Sequence, residues 1–223
     1  MGITNPICTF TAKYTIMLQA ATLTFMTDIA GNNNKPWFDA HRDEYLAVKA
    51  DFEQLVSEVL GLMAEKDAAY KEVMAKDCIM RIFKDVRFAK DKTPYKTNLG
   101  AGISKGGKKM PGAGYYLHIQ PGNQSFAGGG IWMPEAPVLK KIRQEIDYNF
   151  TDFAAIVEHP DFKKRFGGIE GEELKKIPQG YSIDNPAIAY LKKKSFTVGA
   201  AITDEQLTHQ GLAKTIATSF AAM

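Results

Sequence analysis

Two apolar runs joined by a turn constrain this fold more than any other stretch. "YYLHIQ" (115–120) and "SFAGGGIWM" (125–133), separated by "PGNQ", read as the two arms of a β-hairpin. The surroundings are helical. Leu18, Ala21, Leu23, Phe25, Met26 and Ile29 fit the buried side of a helix over 17–29. "GNNNKPWF" interrupts it, with Asn34 as a cap and Pro36 in the first turn of the next helix. Tyr45, Val48, Phe52, Leu55, Val56, Val59, Leu62 and Met63 then recur at three and four, which predicts one long core-packing helix.

After the hairpin, "PEAPVLKKIRQEIDYNF" predicts a helix starting at Pro134 with Glu135 in its first turn. "TDFAAIVEHPDFKKRF" predicts one or two short helices divided at Pro160, and another begins near Pro186. "SFTVGA" is strand-like, and the last helix opens with a Thr203/Gln206 capping box. Helices thus flank a run of strands with no βαβ alternation and no repeat. The expectation is a single α+β domain over 17–223 with a mainly antiparallel central sheet. Residues 1–16 show no comparable pattern and read as a tail.

The formal net charge is +3, yet 81–109 carries nine Lys and Arg against two Asp, which leaves the remainder slightly acidic. Such segregation draws anions to one place. "CIMRIF" reads as a strand that continues to Phe88. Alternation then sets Arg81, Phe83, Asp85 and Arg87 on one face, with Ile82, Val86 and Phe88 packing inward. Asp85 either neutralises its arginine neighbours in an ion-pair network or orients them so that their free donors grip an oxyanion.

Lys90, Lys92 and Lys96 surround a turn set by Pro94, and Tyr95 either stacks on a base or covers the core edge. His118, alternating with Tyr116 and Gln120, is a candidate proton donor or acceptor, as is Asp91. Gly128, Gly129 and Gly130 inside a strand suggest close backbone approach, a bulge, or one wall of a pocket.

Other chemistries fit poorly. "GISKGGKK" (102–109) matches a phosphate-binding P-loop except that Lys109 stands where Ser or Thr would hold magnesium. No hydrophobic strand is evident before it, and Met110-Pro111-Gly112 comes where a helix should start. His41, His159 and His209 show no metal spacing, Cys8 and Cys78 suggest neither a disulfide framework nor zinc, and Cys78 reads as a small buried hydrophobe. No metal or other cofactor is called for. No apolar run is long enough to span a bilayer and no convincing leader precedes 17, so the expectation is a cytoplasmic protein without membrane contact.

In this order, "NNNKPWFDAHRDEY", "RIFKDVRFAKDKTPYKTN", "PGAGYYLHIQPG", "GGGIWMPE" and "LKKKSF" resemble the domain-of-unknown-function 2461 family from about Leu18 onward. The resemblance implies no activity. It implies that Asn33, Trp37, Phe38, Arg81, Asp85, Arg87, Lys90, Asp91, Lys92, Thr93, Pro94, Tyr95, Lys96, Tyr116, His118 and Lys194 occupy motif positions. Residues 1–16 fall outside the family pattern, which fits a start at Met17, and relatives continue past "SFAAM", so a truncated C-terminus is expected. The functional expectation is a site for a small phosphate- or carboxylate-bearing ligand. Arg81, Arg87, Lys90, Lys92 and Lys96 build it, Asp85 orients and His118 is the candidate acid/base. The alternatives are a module gripping a nucleic-acid backbone, an enzyme acting on a phosphorylated or acidic small molecule through His118 or Asp91, and a structural ion-pair network without ligand.

Overall fold

The computed structural model describes residues 16–105 and 112–223, which form ten α-helices and one four-stranded antiparallel sheet. Helix α1 spans Ala20–Gly31 and buries Phe25, Met26 and Ile29. It starts three residues later than expected. Leu18 is nonetheless buried, in extended chain whose N–H donates to the Leu207 carbonyl at 2.9 Å.

The single long helix expected next is two: α2, Lys35–Ala40, and α3, Arg42–Lys66. Asn34 caps α2 by accepting from the Trp37 N–H, as the sequence indicated. The break falls at His41, whose backbone leaves the helical region. Its ring stacks on Trp37 at 4.1 Å, with Nδ1 2.8 Å from the Trp37 carbonyl. The ring and the His41 N–H, at 3.1 Å, share that carbonyl.

A 3₁₀ turn at Ala68–Tyr70 and the one-turn α4, Ala75–Cys78, lead to the sheet. Its strands are β1, Leu99–Ile103; β2, Gly114–Ile119; β3, Ser125–Ile131; and β4, Phe196–Ile202, adjacent in chain order. Between β3 and β4 lie α5, Ala136–Tyr148, α6, Phe150–Val157, α7, Pro160–Phe166, and α8, Ile188–Leu191. The chain closes with α9, Asp204–Leu207, carrying the Thr203/Gln206 capping box, and α10, Leu212–Ala221. In α5, Glu135 is the cap and Pro137 takes the first turn, one proline later than expected.

Strand alternation divides the sheet. Ala101, Ile103, Leu117, Ile119, Ala127 and Ile202 join one core with Phe52, Leu55 and Val59 of α3 and Ile216 and Phe220 of α10. Each large aliphatic or aromatic side chain buried there contributes about 1.5–3 kcal/mol. The other face carries Gly100, His118, Phe126 and Ala201 in one cross-strand row, and Gly102, Tyr116, Gly128 and Gly199 in the next. A smaller cluster of Ile146, Ala187, Leu191 and Phe196 fastens α5 and α8 to the end of β4. Among the described residues no helix is long and apolar enough to cross a membrane.

One expected strand does not form. "CIMRIF" begins in α4, and the chain beyond Cys78 makes isolated bridges, Ile79 with Ala101 and Phe83 with Tyr95. The ladder slips: Met80 N–H donates to Gly100, but the next bond runs from Lys96 N–H to Ile82, so Arg81 alone stands against Thr97, Asn98 and Leu99. Lys84 N–H still donates to the Pro94 carbonyl at 2.9 Å, but Pro94, lacking an N–H, cannot return the bond. Ile82 is therefore buried as expected, but Phe88 is not inward-facing; it is 95% exposed.

Candidate functional site

Within 81–96 the backbone is shaped by bonds the cations make to their own loop. Asp85 grips Arg87 with both carboxylate oxygens, Nε donating at 2.9 Å and Nη2 at 2.6 Å. The guanidinium, with the Arg87 N–H and then the field of Arg81, holds the exposed Asp85 carboxyl below its usual range. Lys84 Nζ donates to Asp91 Oδ2 at 2.6 Å and to Thr93 Oγ1 at 2.8 Å, while Asp91 also accepts the Thr93 N–H and hydroxyl. These bonds, Lys84 first, hold Asp91 down at about 2. A carboxylate so engaged is ionised at neutral pH and ties the loop base together. Lys92 Nζ donates to the Val86 carbonyl at 2.9 Å.

Arg81, Lys90 and Lys96 differ: among the described residues, none of the three makes an ion pair within 4 Å. The register slip sets Arg81 beside 97–99, close to Lys96. Partial burial, and then the charge of Arg81, push the Lys96 amine below its ordinary value.

Tyr95 belongs to the core edge, not to an exposed stacking face. It is 3% exposed and stacks on Phe38 at 4.1 Å, with Phe83 beside both rings. Asn33 clamps its backbone, Nδ2 donating to the Tyr95 carbonyl and Oδ1 accepting the Tyr95 N–H, both at 3.0 Å. The asparagine run before Lys35 and the Thr-Pro-Tyr turn are thereby one structural unit.

On the outer face of the sheet, His118 is held on every side. Its ring stacks on Phe126 at 4.9 Å. Nδ1 lies 3.3 Å from both Asn98 Nδ2 and Tyr116 Oη, and Nε2 lies 3.0 Å from Gln120 Oε1. An amide donor at Nδ1 and an amide oxygen at Nε2 select the tautomer protonated at Nε2. Gln120 is fixed in turn, donating to Gln124 at 2.7 Å. Burial raises the Tyr116 hydroxyl above its ordinary value, so it stays a donor and acceptor. Sequence alternation placed Tyr116, His118 and Gln120 together. It gave no sign of Asn98, the last polar residue before an apolar strand.

A hydrophobic strand, β1, does run into the P-loop-like stretch, contrary to expectation. Positions 106–111 lie outside the described residues, and β2 begins at Gly114 where a nucleotide-binding helix would be needed. Cys8 and positions 1–15 of the expected 1–16 tail also lie outside them; Cys78 is buried in the main core. Lys194 turns to Glu172 at 2.9 Å, beside β4. No group of three His, Cys, Asp or Glu among the described residues could hold a metal ion.

No curated protein and no solved structure matches the chain. A family model described as "Conserved hypothetical protein (DUF2461)" matches residues 21–223, nearly the whole length and including the Asn33–Tyr95 clamp, the basic loop and the Tyr116–His118 row. The chain belongs to that family.

Proposed function

We propose that the protein binds a small anion, bearing phosphate or carboxylate, between Arg81 and Lys96. One observation carries this reading: the ladder slip sets these two cations close together with no ion-pairing carboxylate among the described residues, while Lys84, Arg87 and Lys92 are each engaged by their own loop. Like charges brought close, one of them on the partly buried Lys96, are unfavourable until an anion joins them. Asp85 serves by holding Arg87 aside, Lys90 adds to the local field, and Asp91 is a loop staple. His118, with both ring nitrogens bonded, is a positioning residue for Asn98 and Tyr116.

Thermal unfolding with phosphate, pyrophosphate and citrate tests this, because a ligand of the folded state raises the midpoint with concentration. The expected result is a saturable rise that Arg81→Ala/Lys96→Ala abolishes and Arg87→Ala preserves. No rise with any anion, or an equal rise in the double variant, refutes it.

A second reading, a nucleic-acid backbone, is favoured by Phe88 in place of Tyr95. Phe88 is exposed beside the Arg87 guanidinium, 6.0 Å from its ring, with Lys90 nearby in sequence. Aromatic stacking between cations is how single strands are held without sequence preference. Anisotropy of a labelled mixed-sequence oligonucleotide should then fall steeply with salt and be lost in Phe88→Ala. Binding unaffected by Phe88→Ala, or none by the folded protein, ends this reading.

A further inference from the structure

The outer sheet face holds a groove that the basic loop does not explain. Glycine inside a strand costs about 0.5–1 kcal/mol relative to alanine and marks places of close approach. The inner face bears Ala101, Leu117 and Ala127 where the outer row bears Gly102, Gly128 and Gly199. At Gly130 the chain itself supplies the reason: with φ +124°, a Cβ would stand 2.1 Å from the Phe196 carbonyl oxygen. At Gly199 it does not. A Cβ there would meet only the Phe126 ring at 3.8 Å, an ordinary contact.

A cavity of about 830 Å³ lies over this floor, walled by Met80, Tyr116, Phe126 and Trp132. That volume suits a small organic ligand. Trp132 is 78% exposed, and Met133 after it takes a left-handed backbone, φ 45°, unusual for a side chain of that size. The turn is pinned by the Met133 N–H donating at 2.9 Å to Oγ of buried Ser195. The fold thus maintains strain where an indole stands free at the cavity mouth.

Among the described residues the lining includes no Lys, Arg or His, and its one charged group is Glu170, whose backbone is tied to Thr197 in both directions and whose carboxylate makes no ion pair among the described residues. Aromatic faces present negative potential, and with a carboxylate they form a cation-selective wall.

We propose that this groove binds a flat organic cation, a heteroaromatic ring with delocalised positive charge, lying on the Gly128–Gly199 floor against Trp132 with its charged edge toward Glu170. The site is distinct from Arg81 and Lys96, and neither reading depends on the other.

Thioflavin T, planar and cationic, tests it by fluorescence anisotropy against the anionic dye 1-anilinonaphthalene-8-sulfonate. Saturable binding of the cationic dye is expected, with the sulfonate dye at least tenfold weaker. Glu170→Gln should weaken the cationic dye tenfold or more and narrow that preference. Gly199→Ala should weaken binding and Gly199→Val abolish it, with circular dichroism unchanged and the melting midpoint not lowered; Trp132→Ala gives a surface variant that leaves the floor intact. Equal affinity for the two dyes, no binding of thioflavin T, or unchanged binding in both Gly199→Val and Trp132→Ala overturns the proposal.

Discussion

Replacing Asn33 by alanine should loosen the basic loop from the body of the protein, because its side chain is one of the ties that hold the loop there. The amide makes two bonds to Tyr95, as donor and as acceptor, each at 3.0 Å and across 62 residues of sequence. Each such bond contributes about 1 kcal/mol net, and a buried N–H and carbonyl left unsatisfied cost more than the bonds contribute. Tyr95 is buried, so water replaces the amide poorly. The expected loss is about 2–3 kcal/mol, read from urea unfolding followed by circular dichroism with the denaturant slope unchanged. Asn33→Asp keeps the acceptor but sets a carboxylate oxygen against the Tyr95 carbonyl, so it should lose a comparable amount. The bonds go to backbone, so the cost should be the same within about 0.5 kcal/mol in a Tyr95→Leu background. A loss below about 0.5 kcal/mol for Asn33→Ala, or strong coupling to the tyrosine ring, would refute the clamp.

Three further outcomes rest on the same geometry. Asp91 is held at about 2 in the folded chain, below the roughly 3.9 of an unfolded aspartate, so its contribution is fully present above about pH 4 and lost as pH falls through about 2. The stability gap between the parent and Asp91→Asn should therefore close over that window; a gap independent of pH counts against the staple. Gly130→Ala should destabilise by more than about 2 kcal/mol, since φ and space both forbid the methyl, whereas Gly199→Ala should be neutral or stabilising by up to about 1 kcal/mol in thermal melts. Equal effects at the two positions would contradict the assignment of their roles. Ser195→Ala strands the Met133 N–H and should cost about 1–3 kcal/mol, with a shift in Trp132 emission as the strained turn relaxes; unchanged emission and stability would show the turn is held otherwise.

Local pattern alone determined a good deal of this protein. The hairpin of β2 and β3, β4, the Asn34 cap, the Thr203/Gln206 box and the division of α6 from α7 at Pro160 depend on residues within a few positions of one another. So does the sharing of one face by Tyr116, His118 and Gln120, because strand alternation needs no partner. Tertiary structure decided the rest. Whether 79–88 is a strand depended on a register slip against 94–101 and on the missing N–H of Pro94. Which cations are engaged by Asp85, Asp91 and the Val86 carbonyl depended on how the loop closes, and composition cannot show that. Tyr95 and Phe88 are both aromatics among lysines, yet Asn33 and Phe38, distant in sequence, draw one into the core and leave the other in water. The glycines of β3 and β4 look alike in sequence. Only the neighbouring strand separates Gly130, which the backbone requires, from Gly199, where a methyl would make only an ordinary contact with the Phe126 ring.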